Sequence, residues 1–276
     1  MSTAVSSLDR KLDAPPREAA AALPDALPLE ASPAVVRTPW WREVLVVVWL
    51  AWVYDAINNL APLRLGPALA HGRDILSLEG SLGIAPERAL DHWLALHHTV
   101  GLAVSDYYDN AHFAVTLGVL ALLWWQGAAR YRPMRNALVA INLLAFAVFW
   151  LYPVAPPRML GGFTDVVAST HAIGSWHTGA LASQANQLAA MPSLHIAWAI
   201  WCTVGVWLLT RNTILRALAL LYPCLTGFAV LATGNHYVLD IAAGALLVVL
   251  AMACVAGASR ALARGRTASP RIAPSG

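Results

Sequence analysis

Apolar runs about as long as a bilayer is thick recur along this 276-residue chain, and they leave it few folds to adopt. Crossing ~30 Å of hydrocarbon takes ~20 residues of helix. Stretches of that kind occur near residues 40–60, 109–127, 135–153, 190–209, 214–232 and 237–258. Backbone polar groups in hydrocarbon must be paired within their own segment, so such stretches become helices. Only 12% of the residues are charged, against about a quarter in an average soluble domain. The expected fold is all-α, a polytopic membrane helix bundle with about six transmembrane helices. The stretch 84–106 carries Glu87, Arg88, Asp91, His92, His97 and His98 among apolar residues, which suits an extra interfacial helix in the first outward loop.

Residues 1–38 are rich in Ala, Pro and Ser without a hydrophobic period and read as a disordered cytoplasmic tail. The transmembrane domain then covers 39–258, and 259–276 reads as a basic cytoplasmic tail. No apolar core lies near the start, so no cleaved signal peptide is expected. Fourteen of the 18 Lys and Arg residues fall on one side of a six-span topology; only Arg64, Arg73, Arg88 and Arg158 fall on the other. The positive-inside bias puts both termini in the cytoplasm of a plasma (inner) membrane protein, and 61–108, 154–189 and 233–236 outside. Cys202, Cys224 and Cys254 lie in apolar runs without paired spacing and read as buried apolar residues. No basic stripe interleaved with aromatics is present, so nucleic acid is not an expected partner; the bilayer and a membrane lipid are, and self-association stays open.

Three short segments share the outward face: YPVAPPR (152–158), NQLAAMPSLHIA (186–197) and TGNHYVLD (233–240). His236 and Asp240 are four apart, one turn along a helix face, where the carboxylate can fix the imidazole tautomer and leave the other nitrogen as nucleophile or base. The same pair equally suits a buried lock between helices. His195 follows Met191-Pro192-Ser193-Leu194; a Pro in a first helical turn, free N–H groups and the Ser193 hydroxyl suit an anion, and a histidine there can protonate a leaving oxygen. Arg158, alone in its loop and stiffened by Pro153, Pro156 and Pro157, suits forked binding of phosphate, or unspecific lipid headgroups. An arginine, a helix start, two histidines and an aspartate supply the positioning and electrostatics of phosphoryl transfer. H-E-x-x-H, C-x-x-C and P-loop patterns are absent, so neither a metal nor a cofactor is expected.

These motifs, YPVAPPR, AAMPSLHIAWA and ATGNHYVLD, resemble the type 2 phosphatidic acid phosphatase (PAP2) superfamily over roughly residues 105–258, with a weaker likeness at 78–84. Within it they look most like the branch of the fungal inositol phosphorylceramide synthase catalytic subunit and its bacterial relatives. The resemblance implies a phosphohistidine formed on His236, oriented by Asp240, with His195 protonating the departing group and Ser193 and Arg158 holding phosphate. The superfamily's PSGH stands here as Pro192-Ser193-Leu194-His195, and an arginine six residues before the nucleophile is Val230. Both departures fit that branch, and with one clamping arginine fewer they favour a less charged phosphodiester or lipid phosphate.

Further candidates surround the motifs. Tyr108 and His112, four apart, can reach the same site or bond another helix. Asn186 and Asn235 flank the motif helices, and Asn235 serves as well for an N-cap as for a substrate contact. Asp55 suits interhelical pairing; His171 and His177 read as solvated; tryptophans such as Trp40, Trp125 and Trp150 suit interfacial anchoring. The expected function is a metal-independent lipid phosphatase or phosphotransferase. The rival is a transporter or binding protein that uses the same residues without covalent chemistry.

Overall fold

The computed structural model describes residues 36–60, 64–170 and 187–268. Among these every regular element is helical, apart from an isolated bridge between Val154 and Ala189. In chain order the α-helices are α1 (Trp40–Leu60), α2 (Leu65–Leu82), α3 (Glu87–Leu96), α4 (His98–Trp125) and α5 (Ala128–Leu151). A 3-10 turn, Pro157–Met159, leads to the short α6 (Val166–Thr170), followed by α7 (Leu194–Leu209), α8 (Thr213–Ala232) and α9 (Val238–Ala268). All belong to one compact unit beginning at Val35.

Helices occupy all six stretches in which the sequence suggests a span, and three of them, α5, α8 and α9, are long and apolar enough to cross a membrane. The shorter α7 has 16 residues, starting at Leu194 rather than near 190. Helix α4 starts at His98, well before the expected 109. Its polar first turns stay helical because their side chains face protein: Ser105 and Asp109 are buried, and Ser105 Oγ accepts from Thr170 Oγ1 at 3.1 Å. Helix α9 does not stop at 258 but runs on through the alanine-rich start of the expected tail, where helix propensity is high. The first expected outward loop holds two helices before α4 rather than one. The sequence hides α2 because Arg73, Asp74 and Glu79 interrupt its apolar period, and the ambiguous 84–106 stretch divides at His97 into α3 and the start of α4.

Lipid tails are as apolar as leucine, so close packing rather than exclusion of water holds helices together in a membrane. The main core lies between α4, α5, α7 and α9, around Leu123, Tyr131, Ile141, Phe146, Trp201 and Val248. The indole N–H of Trp201 would be costly there without a partner, and it donates to the Met134 carbonyl at 2.9 Å.

That packing brings the starts of α7 and α9 side by side. Ser193 N–H donates to the carbonyl of Asp240 at 3.1 Å. Gly244 makes the approach feasible, since a Cβ there would sit 2.5 Å from the Ser193 carbonyl oxygen. The segment after α5 is pinned between them: Val154 N–H donates to Leu188 O at 3.0 Å, and Ala190 N–H to Val154 O at 3.2 Å.

Candidate active site

Eight of the nine candidate residues, His195, His236, Asp240, Ser193, Tyr108, His112, Asn235 and Arg158, gather at this junction; Asn186 lies outside the described residues, as do His171 and His177. His236 is buried, and its Nδ1 lies 2.8 Å from the Ala190 carbonyl oxygen and 3.3 Å from Asp240 Oδ2. Both neighbours can only accept, so Nδ1 carries the proton and donates to both. In that tautomer the ring's lone pair sits on Nε2. Asp240 also accepts from the Tyr237 N–H at 2.9 Å, through the oxygen that meets His236. A carboxylate in the first turn of an apolar helix thus finds partners, and it complements the helix dipole as well.

His195 stands edge-on to His236 with ring centroids 5.6 Å apart. It is sandwiched by α4: Tyr108 stacks on it at 4.5 Å and His112 meets it edge-on at 4.4 Å. His112 donates from Nδ1 to the Tyr108 carbonyl at 3.0 Å, which fixes its ring on the same helix. A cleft beside these rings is lined by Tyr107, Tyr108, His112, His195, Tyr222, Thr226, Ala229 and Val230. Val230, six residues before His236, is fully buried and forms an apolar wall there.

Ser193 is the N-cap of α7, its Oγ accepting from Ile196 N–H at 3.4 Å, and it is fully buried. Pro192 therefore precedes the cap instead of filling the first helical turn, and its bond to Met191 is cis. His195 stays within the first turn, two residues past the cap.

Arg158 lies across the loop before α9. Its Nε donates to Asn235 Oδ1 at 2.7 Å, its Nη2 to Gln187 Oε1 at 2.5 Å, and Asp165 lies 3.8 Å away. Asn235 is thus no helix cap: α9 begins three residues later, and the Asn235 amide donates to Thr233 while its oxygen holds the guanidinium. Backbone and side chain agree, because Arg158 N–H also donates to Gly234 O at 2.8 Å. Gly234 has φ +63°, and a Cβ there would lie 3.2 Å from Asp91 Oδ2 and 3.4 Å from Arg158 Cβ. Only glycine meets both demands without strain.

The residues that sequence reasoning missed are acids of the 61–108 segment. Glu79 Oε1 accepts from Leu239 N–H at 2.6 Å and Glu87 Oε1 from Val238 N–H at 3.0 Å, so two glutamates from α2 and α3 cap the first turn of α9. Asp91 holds the loop after Arg158 through Thr164 N–H at 2.9 Å, and burial pushes its carboxyl above the usual range. Part of their signal was present: Glu87 and Asp91 are four apart on one face of α3, acids in an apolar setting, whereas Glu79 lies on α2. Gln187 carried no such signal. Among the described residues no group of three or more His, Cys, Asp or Glu side chains is arranged to hold a metal ion.

No curated protein and no solved structure matches the chain. A family model, that of the PAP2 superfamily, matches residues 73–254. The matched region runs from α2 into α9 and contains Glu79, Arg158, His195, His236 and Asp240. With more than half of its length in the match, and with three helices fit to cross a bilayer, this chain is an integral membrane member of the PAP2 superfamily.

Proposed function

We propose that the protein is a lipid phosphatase or phosphotransferase working without a metal through a phosphohistidine on His236. Superfamily membership brings phosphatase or phosphotransferase chemistry in general. The observation that carries the finer reading is the tautomer of His236: its Nδ1–H is held by Ala190 O and Asp240, so Nε2 carries the free lone pair. Nε2 attacks phosphorus, the P–O bond to the leaving group breaks, and His195 gives its proton to the departing oxygen. Water or a lipid hydroxyl then takes the phosphoryl group from Nε2, with His195 accepting the acceptor's proton. Arg158 and the Ser193 hydroxyl carry the phosphate oxygens.

A site with one guanidinium, Arg158, and a cleft walled by the apolar Val230 suits a singly charged phosphodiester or a lipid-linked phosphate better than a dianion. This agrees with the inositol phosphorylceramide synthase-like branch, of the bacterial type. The six-helix topology, both termini cytoplasmic and the site at the extracytoplasmic face of the plasma membrane, follows from the arginine distribution. The test is a panel of lipid phosphates and phosphodiesters incubated with the purified full chain in detergent, with products read by mass spectrometry. Turnover by the wild type, unchanged by a chelator and absent from His236→Ala, is expected. Wild-type rates in His236→Ala remove the nucleophile, and labelled substrate that binds without ever forming an acid-labile phosphoprotein leaves the non-covalent transporter instead.

A further inference from the structure

The glutamates of α2 and α3 present an unsolved balance. Glu79 and Glu87 are both fully buried. Each spends Oε1 on a backbone N–H of α9, while the Oε2 atoms have no other hydrogen-bond partner among the described residues. Their Oε1 atoms hold the adjacent backbone N–H groups of Val238 and Leu239, which sets the two buried carboxyl groups side by side at the start of α9. No described cation pairs with either: the titratable groups facing them are Tyr237 and Asp240, and beyond Asp240 His236. Two bare carboxylates side by side, out of water and without a counterion, are too costly to persist; one proton between them satisfies both orphaned oxygens.

We propose that Glu79 and Glu87 are positioning residues that share one proton between their Oε2 atoms and thereby hold the first turn of α9, carrying Asp240, in register with His236. The proposal rests on the histidine chemistry above for its effect on turnover, but not for the proton itself. Leu239 and Val238 flank the junction between His236 and Asp240, so the height of that first turn sets where the imidazole points. Burial, with Glu87 beside it, pushes the Glu79 carboxyl up to about 8, against the pull of the Leu239 N–H. Above that range Glu79 gives up its proton, the shared bond is lost, the two side chains part, and the turn moves with them. A displacement of the order of 1 Å at a reacting group costs about a hundredfold in rate.

Glutamine separates this role from simple filling of space. One glutamine mimics the protonated acid: its oxygen accepts the backbone N–H and its amide donates to the remaining carboxylate. Two glutamines set amide against amide, and one backbone bond has to be given up. The experiment compares full-length wild type, Glu79→Gln, Glu87→Gln and the double variant in detergent. The readouts are kcat and KM across pH on whichever lipid the wild type turns over, and the infrared stretching band of a buried protonated carboxyl. Expected are near wild-type kcat at neutral pH in both single variants, without the alkaline fall. In the double variant kcat falls by roughly tenfold to a hundredfold at little changed KM. The band is expected in the wild type and absent from every variant. A double variant with wild-type kcat and pH profile, or single variants as impaired as the double, overturns the positioning role. A wild type without the band overturns the shared proton even if no lipid is turned over, a result that by itself sinks only the enzymatic reading.

Discussion

His195 stands edge-on to His236 with ring centroids 5.6 Å apart, the separation of two rings in contact. In the proposed mechanism the acid and the nucleophile make different demands on the leaving group. His195→Ala is expected to lose about a hundredfold to ten-thousandfold on an alkyl lipid ester, which needs a proton on departure. On an aryl phosphate, whose phenolate leaves unaided, the loss shrinks to within about tenfold of wild type. Paired rate measurements on the two esters check this, and equal losses on both deny His195 the role of acid.

Asp240→Asn should be milder than the loss of an orienting aspartate usually is. The Ala190 carbonyl holds the Nδ1 proton at 2.8 Å, closer than Asp240 does at 3.3 Å, so the tautomer survives the change. What disappears is the anion that stabilises a charged imidazole. A fall in kcat/KM of about tenfold to a hundredfold is expected, well short of the roughly ten-thousandfold cost of a wrong tautomer.

Arg158→Lys is not a conservative change here. The guanidinium reaches Asn235 through Nε and Gln187 through Nη2, a fork that an ammonium cannot make. The expected result is a raised KM and a lowered kcat together, by about tenfold in kcat/KM, because one charge-assisted bond is worth about 1.5 kcal/mol or more. Steady-state kinetics on the lipid identified by the panel measure it.

Gly244→Ala places a methyl where the Ser193 carbonyl oxygen already stands. Backbone has to move, and overpacking of this kind costs about 1–3 kcal/mol. The shift separates α7 from α9, so activity should fall further than thermal stability in detergent does. Gly227→Ala is the control, since its Cβ would meet only side-chain methyl groups at ordinary contact distance.

Stability should itself depend on pH through Glu79. Folding holds its proton up to about pH 8, whereas the unfolded chain releases it in the ordinary glutamate range. Between those limits the folded state binds more protons, so this contribution is full below the ordinary range and is lost as pH rises to about 8. Thermal unfolding of the wild type across that window should show the decline, and Glu79→Gln should flatten it.

The proximity of His236 to Asp240 could be read from the chain because it is local. They are four residues apart, though His236 stands two residues before α9 rather than on its face, and Asp240 Oδ2 reaches it there at 3.3 Å. The helix positions followed from apolar length for the same reason. Asn235 suits a cap or a substrate contact from the sequence and instead clamps Arg158, because nothing in the sequence says that Arg158 lies beside it. Glu79 and Glu87 had no assigned task, since their partners are backbone N–H groups more than a hundred residues away. Those contacts depend on how α2 and α3 fold back over α9, which apolar periodicity does not encode. Helix α2 was hidden by its charges, of which Glu79 faces protein while Arg73 and Asp74 are exposed.

Asn235 joins Arg158 to His236 through a single peptide unit. In the proposed mechanism a headgroup that draws Arg158 towards itself therefore tugs on the backbone that carries the imidazole, so grip and aim become one event. A ligand too short to reach the guanidinium should leave the attacking nitrogen slack, however well its tails are accommodated.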